Sequence, residues 1–317
     1  MMTYEKFKED VINKFMEYMP EEYHDYHIEC FPYTKINRSL DGIVIKKEGS
    51  IVSPQLYVNE MYSIYQEIGD FEETIRMMCK TAVKELKHIK KIDLKDPFEN
   101  SENRIVFQLI NTEKNKDLLK DIPHRDFLDL SIIYVLSFYI EGRGQASLKV
   151  TNQTAKSYGW DEEQLFQMAM ENTKTIFPLE IMRSNDIILQ LAIEEGIPKP
   201  IAETMLYEPE EAKNLMWILT NKERLNGCTA LLYEDEIHKL SEKLECDLYL
   251  LPSSRHEIIA VPSKIATPEY LTEMVQEVNE SVVDEKDYLS DSVYHYNKTS
   301  RTLSLFKKYI KEDTYDL

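Results

Sequence analysis

Five consecutive residues, Ser253, Ser254, Arg255, His256 and Glu257, gather more reactive side-chain types than any other stretch of the chain. Hydroxyl, imidazole and carboxylate are the parts of a hydrolase relay, in which a base must reach the hydroxyl and a third group must hold the base. Ser254, His256 and Glu257 are therefore the catalytic candidates. Their spacing argues against such a relay: alternate side chains of an extended segment point to opposite faces, so Ser254 and His256 share a face while Glu257 points away. The string also lacks the Gly-x-Ser-x-Gly turn that exposes a nucleophile in one common fold, and no nearby glycines offer an oxyanion nest. The plainer expectation is a tight turn after Pro252, with serine hydroxyls bonding the backbone and Ser253–Glu257 available to a ligand or partner.

Metal-ligand types occur at His24, His27 and Cys30, three residues apart, a spacing that suits one face of a helix. The surrounding Tyr26–Phe31 alternates like a strand, however, which sends His27 and Cys30 to opposite sides, and no fourth ligand lies close in sequence. No metal centre is expected there. Glu141–Gln145 holds a Gly-Arg-Gly, but a phosphate loop needs a helix directly after it, whereas a strand follows here; a hairpin is predicted. The acidic groups at Asp161–Glu163, Glu208–Glu211 and Glu234–Glu236 each fall near a predicted helix start, where carboxylates favour the dipole. No cofactor is implied.

The elements around these residues read as α+β. A helical stripe runs through Tyr4, Phe7, Val11, Phe15, Tyr18 and Met19 to Pro20. Strands are predicted at Tyr26–Tyr33 and Gly42–Lys46, then a helix opened by Ser53-Pro54 and another capped by Asp70. Asp93–Asn103 is polar, contains Pro97 and reads as a linker. Beyond it come strands at Arg104–Ile110, Phe127–Ile140 and Gln145–Val150, and helices at Thr151–Tyr158, Asp161–Thr175 and Ser184–Glu194. The last region offers a strand at Met216–Leu219, a reversal at Asn226-Gly227 into a strand over Cys228–Leu232, and a helix over Glu234–Leu244. Paired strands at Leu248–Leu251 and Ile258–Val261 flank the opening string, and Thr267-Pro268 starts a further helix. The expected organisation is antiparallel sheets covered by helices, in small units packed into one body: 1–92, a linker at 93–103, 104–200, and 201–317 with a polar tail.

Composition narrows function. With 317 residues and 43% hydrophobic content there is ample material for a core. A net charge of −19 opposes binding to nucleic-acid phosphates or an anionic membrane. Lys84–Lys95 is the basic run, and it reads as the solvated end of a helix. No apolar run is long enough to span a bilayer, and the four cysteines are scattered without metal or disulfide spacing. The start of the chain lacks the layout of a secretory signal, so cytoplasm is the expected compartment.

Leu219-Thr-Asn221, Asn226–Tyr233, Leu250–Glu257 and Leu289-Ser-Asp-Ser-Val-Tyr294 together resemble a bacterial domain family of unknown function, associated with anaerobic Gram-positive organisms. Gly159-Trp160-Asp161 and Ser53–Tyr57 with Gly42 fit the same resemblance, which covers most of the chain and carries over no catalytic residue. The function expected is a non-catalytic binding or accessory protein with an unknown protein or small-molecule partner. The alternatives are an acidic nucleic-acid mimic acting in counter-defence and a hydrolase centred on Ser254 and His256.

Overall fold

The computed structural model describes residues 1–48, 53–89, 98–140, 144–206 and 215–306. The fold is mixed α+β, with three antiparallel sheets among the described residues. The chain divides into two compact units, Met1–Glu99 and Asn100–Leu317.

In the first unit, α1 (Tyr4–Lys14) is capped by the Thr3 hydroxyl and continues as a short 3-10 segment to Tyr18. Strands β1 (His27–Lys35), β2 (Arg38–Lys46) and β3 (Gln55–Tyr57) form an antiparallel sheet in that order. Two helices, α2 (Val58–Ile68) and α3 (Phe71–Ile89), complete the unit. Its core takes Phe7, Val11 and Phe15 from the first helical stripe, Ile43 and Ile45 from β2, and Ile75, Met78, Ala82 and Leu86 from α3. The predicted helix start at Ser53-Pro54 is displaced: Gln55–Tyr57 pairs with Gly42–Val44, and helix begins at Val58. The ladder with β2 overrides the local helix signal of the proline.

The second unit begins with β4 (Ile105–Asn111), the short α4 (Lys116–Leu119), β5 (His124–Phe127), β6 (Leu130–Ile140) and β7 (Gly144–Lys149). Strand β6 pairs with β4 along one edge and with β5 and β7 end to end along the other. A single strand over Phe127–Ile140 was expected; instead Leu128 adopts φ 59° and folds the segment into the β5–β6 hairpin. Residues 141–143 of the Gly-Arg-Gly segment, Lys90–Lys95 of the basic run, 93–97 of the predicted linker, Glu208–Glu211 and the tail from 307 lie outside the described residues.

Helix α5 (Asn152–Tyr158) is capped by Thr151 and stopped by Gly159 at φ 69°. Next comes α6 (Glu162–Ile176), which Asp161 and Gln164 open with a reciprocal capping box. Then follow β8 (Leu179–Arg183), α7 (Ser184–Glu194), α8 (Lys199–Met205), β9 (Trp217–Asn221), α9 (Glu234–Leu244), β10 (Leu248–Ser254), β11 (Glu257–Pro262), α10 (Pro268–Ser281), β12 (Tyr294–Asn297) and β13 (Thr302–Leu305). The last sheet runs β13-β12-β10-β11-β9-β8. Among the described residues no helix is long and apolar enough to cross a membrane.

The strand predicted over Cys228–Leu232 is a 3-10 helix, Gly227–Leu232. Asn226 sits in the left-handed region at φ 53°, and the Thr229 amide bonds back to the Asn226 carbonyl, so the chain coils instead of returning as a hairpin. Close packing fixes this course. A Cβ on Gly227 would stand 2.2 Å from the His256 carbonyl oxygen and 2.9 Å from Thr220 Cα, so no larger residue fits without moving backbone.

Candidate functional site

Strands β10 and β11 pair from Leu248–Pro262 to Ser254–Glu257, with a register shift between Leu251 and Ser254. Arg255 and His256 form the tip. The Ser254 hydroxyl accepts from the His256 amide at 3.0 Å, and the Ser253 hydroxyl donates to the Glu257 carboxylate at 3.2 Å. No hydrogen bond joins the Ser254 hydroxyl to the imidazole. The ring instead receives the Asn226 amide at Nδ1 (3.4 Å) and meets Asp287 Oδ1 through Nε2 (3.1 Å). An amide only donates, so Nδ1 holds a lone pair and Nε2 carries the proton given to Asp287. The imidazole is thus engaged at both nitrogens, and the serine–histidine–carboxylate relay considered from the sequence is not assembled. Ser254, His256 and Glu257 lie together in space without the hydrogen bonds such catalysis requires.

Arg255 pins the same turn from the other side. Its amide donates to the Asp287 carbonyl (2.8 Å), Nη1 to the Lys286 carbonyl (3.2 Å) and Nη2 to the Asn226 side-chain oxygen (3.0 Å). Burial pushes the guanidinium below its usual range, opposed by the Asp287 carboxylate. The carbonyls of Arg255 and His256 accept from the Cys228 amide (3.2 Å) and the Thr220 hydroxyl (2.7 Å). Three sequence-distant segments, 220–228, 253–257 and 286–287, therefore close on one another through hydrogen bonds between their polar groups, with Arg255 Nε left buried without a partner among the described residues.

A second clasp of the same kind is built on Asp129, a residue that spacing alone did not single out. Its carboxylate accepts hydroxyls from Ser290 (2.5 Å), Ser292 (3.0 Å) and Tyr294 (2.8 Å), while the Asn111 side chain donates to the Leu289 carbonyl (3.0 Å). Burial, followed by the Asp129 charge, drives the Tyr294 phenol well above its ordinary value. The Leu289–Tyr294 string anchors β12 to the β5–β6 hairpin.

His24, His27 and Cys30 are not brought together. His24 ends a 3-10 turn and bonds the Met19 carbonyl, whereas His27 and Cys30 lie on β1. Among the described residues no group of three or more His, Cys, Asp or Glu is placed to hold a metal ion. The acidic start of α9 lines a cavity of about 490 Å³ with Lys174 and Tyr233, but its carboxylates are occupied. Glu234 takes Arg301 in two bonds (2.8 and 2.7 Å) and the Tyr296 hydroxyl (2.6 Å), Asp235 takes Arg301 (2.6 Å), and Glu236 takes Lys239 (2.6 Å). Arg301 and then Tyr296 hold the Glu234 carboxyl down at about 2.

Among the described residues, α7 and α8 together leave several apolar side chains exposed. Ile187-Ile-Leu-Gln-Leu-Ala-Ile193 is apolar on every side of its helix, a pattern that belongs to buried helices. Yet Ile187 alone in α7 and Ala202 alone in α8 are buried. Ile188 is 47% exposed, Ile201 54% and Met205 71%. The sequence carried a signal in that run, an apolar stretch without helical periodicity, but nothing in it distinguished a covered helix from an uncovered one.

Taken together, the fold, the two polar clasps and the apolar helix pair describe an α+β protein without an assembled catalytic relay among its described residues. Residues 4–298 match the model of the family described as Family of unknown function (DUF5688), and the chain belongs to that family. No curated protein and no solved structure matches it.

Proposed function

We propose that this chain is a non-catalytic binding or accessory protein whose docking surface is the exposed apolar face of α7 and α8. The observation that carries the reading is the exposure of Ile188, Ile201 and Met205 on helices that bury one residue each. Contiguous apolar surface left in water marks interaction sites. The occupant is another protein that presents an apolar helix face flanked by Lys and Arg. Charge supports that choice: between Arg183 and Leu206, Asp186, Glu194, Glu195 and Glu203 outnumber Arg183 and Lys199. A second copy would set this acidic rim against itself, with −19 on each chain. A basic amphipathic helix meets both the apolar face and its rim.

The test uses a labelled peptide with a leucine stripe flanked by lysines, and a twin with glutamates in their place. Each is titrated against the full chain and against the triple variant Ile188→Gln, Ile201→Gln, Met205→Gln. The lysine peptide is expected to bind the parent chain at least tenfold more tightly than the variant, and the glutamate twin to bind neither. Equal affinity for parent and variant would overturn the docking surface, because the variant keeps every charge.

A further inference from the structure

A second cavity, of about 610 Å³, lies between the end of α4, the start of β5, α5 and Trp160. It differs in kind from the acidic surface around it. Its floor is apolar, made by the buried side chains of Leu119, Ile122 and Ala155. Trp160 forms a wall, stacked on Tyr158 with centroids 4.8 Å apart and planes 23° from parallel. The cavity is braced before any ligand arrives. The Asn152 side chain donates to the Lys120 carbonyl (2.9 Å), its amide to the Asp121 carbonyl (2.9 Å), and the Trp160 amide to the Ala155 carbonyl (2.9 Å).

Lys120, Lys156 and His124 stand on the lining. Among the described residues Lys156 has no ion-pair partner and Lys120 pairs with Asp117, in an exposed contact of 2.6 Å that a ligand can displace at little cost, with the Asp121 charge nearby. His124 Nδ1 is bonded to the Ile122 carbonyl (3.0 Å), which only accepts, so Nδ1 carries a proton and Nε2 presents a lone pair that can take a ligand hydroxyl but not an anion. The carboxylate on the lining, Glu162, is already held by Arg125 in two bonds (3.0 and 2.7 Å) and by the Tyr134 hydroxyl. It therefore does not oppose an incoming anion. On a chain of net charge −19 the lining sets two lysines over an apolar floor, with Asp117 and Asp121 beside Lys120.

We infer that this cavity binds a small amphiphilic anion, an apolar or aromatic body carrying one carboxylate or phosphate. The body packs on Leu119, Ile122 and the Trp160 indole, and the anionic head meets Lys120 and Lys156. The depression is open to solvent, and its apolar floor with a few placed polar groups is the kind of lining small-molecule sites use. This site is independent of the α7–α8 surface.

Two tryptophans make the test simple. In a Trp217→Phe background, Trp160 emission is followed while 4-nitrobenzoate or 4-nitrophenyl phosphate is added, with neutral 4-nitrobenzyl alcohol as control. Saturable quenching is expected for both anions, and at least tenfold weaker binding for the alcohol. Lys156→Glu, an exposed substitution that leaves the fold alone, is expected to weaken both anions at least tenfold, as is Lys120→Glu. The triple glutamine variant of α7 and α8 is expected to bind them unchanged. Quenching that never saturates, equal binding of the alcohol, or indifference to both lysine substitutions would overturn the site. Loss of binding in the α7–α8 variant would move the ligand to that surface instead.

Discussion

Between Ser253 and Glu257 the chain places hydroxyl, guanidinium, imidazole and carboxylate side by side, and each is engaged by Asn226, Lys286, Asp287 or the turn itself. Helices α7 and α8 hold little of that chemistry, and leave Ile188, Ile201 and Met205 in water. Reactive residue types in a cluster thus serve to close a fold when most of their hydrogen bonds are made within it, Arg255 Nε being the exception. Plain apolar residues become the informative ones when no described residue covers them.

The largest effect that sharpens this contrast is expected from Gly227→Ala. Its Cβ would meet backbone at 2.2 Å, and forcing that overlap apart should cost about 3 kcal/mol, read as a shift of the urea midpoint. Arg255→Ala should cost about 2–3 kcal/mol in the same assay, because it strips charged hydrogen bonds from the Lys286 carbonyl and Asn226. If either substitution is neutral, the turn is not a structural clasp and its polar groups are free for other work.

Cys228 offers a chemical readout of the same clasp. Burial pushes its thiol up to about 12, and its amide is bonded to the Arg255 carbonyl. At pH 8 it should resist alkylation in the folded chain, and Arg255→Ala should speed its modification at least tenfold, followed by peptide mass mapping. Equal rates in the two proteins would separate Cys228 from the turn.

A smaller effect is expected from acid. Glu234 titrates at about 2 in the folded chain, below the ordinary glutamate value of about 4.3. A depressed carboxylate contributes stability that is complete above the unfolded value and is lost as pH falls from about 4.3 toward 2. Glu234→Gln should therefore flatten the stability profile in that window and leave its slope above pH 6 unchanged. The pair with Arg301 is partly exposed, so the change should be modest.

The smallest effect should come from the other side of the comparison. Ile188→Gln, Ile201→Gln and Met205→Gln together should change unfolding stability by less than about 1 kcal/mol, since well-exposed positions contribute little to folding. A loss of several kcal/mol would mean that these side chains belong to a core.

How much of this was legible in sequence follows from range. The helix starts at Thr151, Asp161 and Thr267 were readable, because each is set by a side chain that caps an amide within one turn. The pairing of β10 with β11 was readable for the same reason. Asn226-Gly227 was misread as a hairpin because the groups that hold its coil in place, the Arg255 carbonyl on the Cys228 amide and the His256 ring on the Asn226 amide, arrive from about thirty positions away. Asp129 was silent for a similar reason: its hydroxyl partners lie more than 160 residues downstream. The exposure of α7 could not be read at all, since an apolar run states what a helix prefers and not whether a neighbour supplies it.

Hydrogen–deuterium exchange of the full chain, with and without the lysine-flanked peptide, compares the two regions in one experiment. Slowed exchange across 184–205, with 253–257 unchanged, is the predicted result. Slowed exchange at 253–257 with α7 and α8 unaffected would contradict the account, and would return the binding role to the turn.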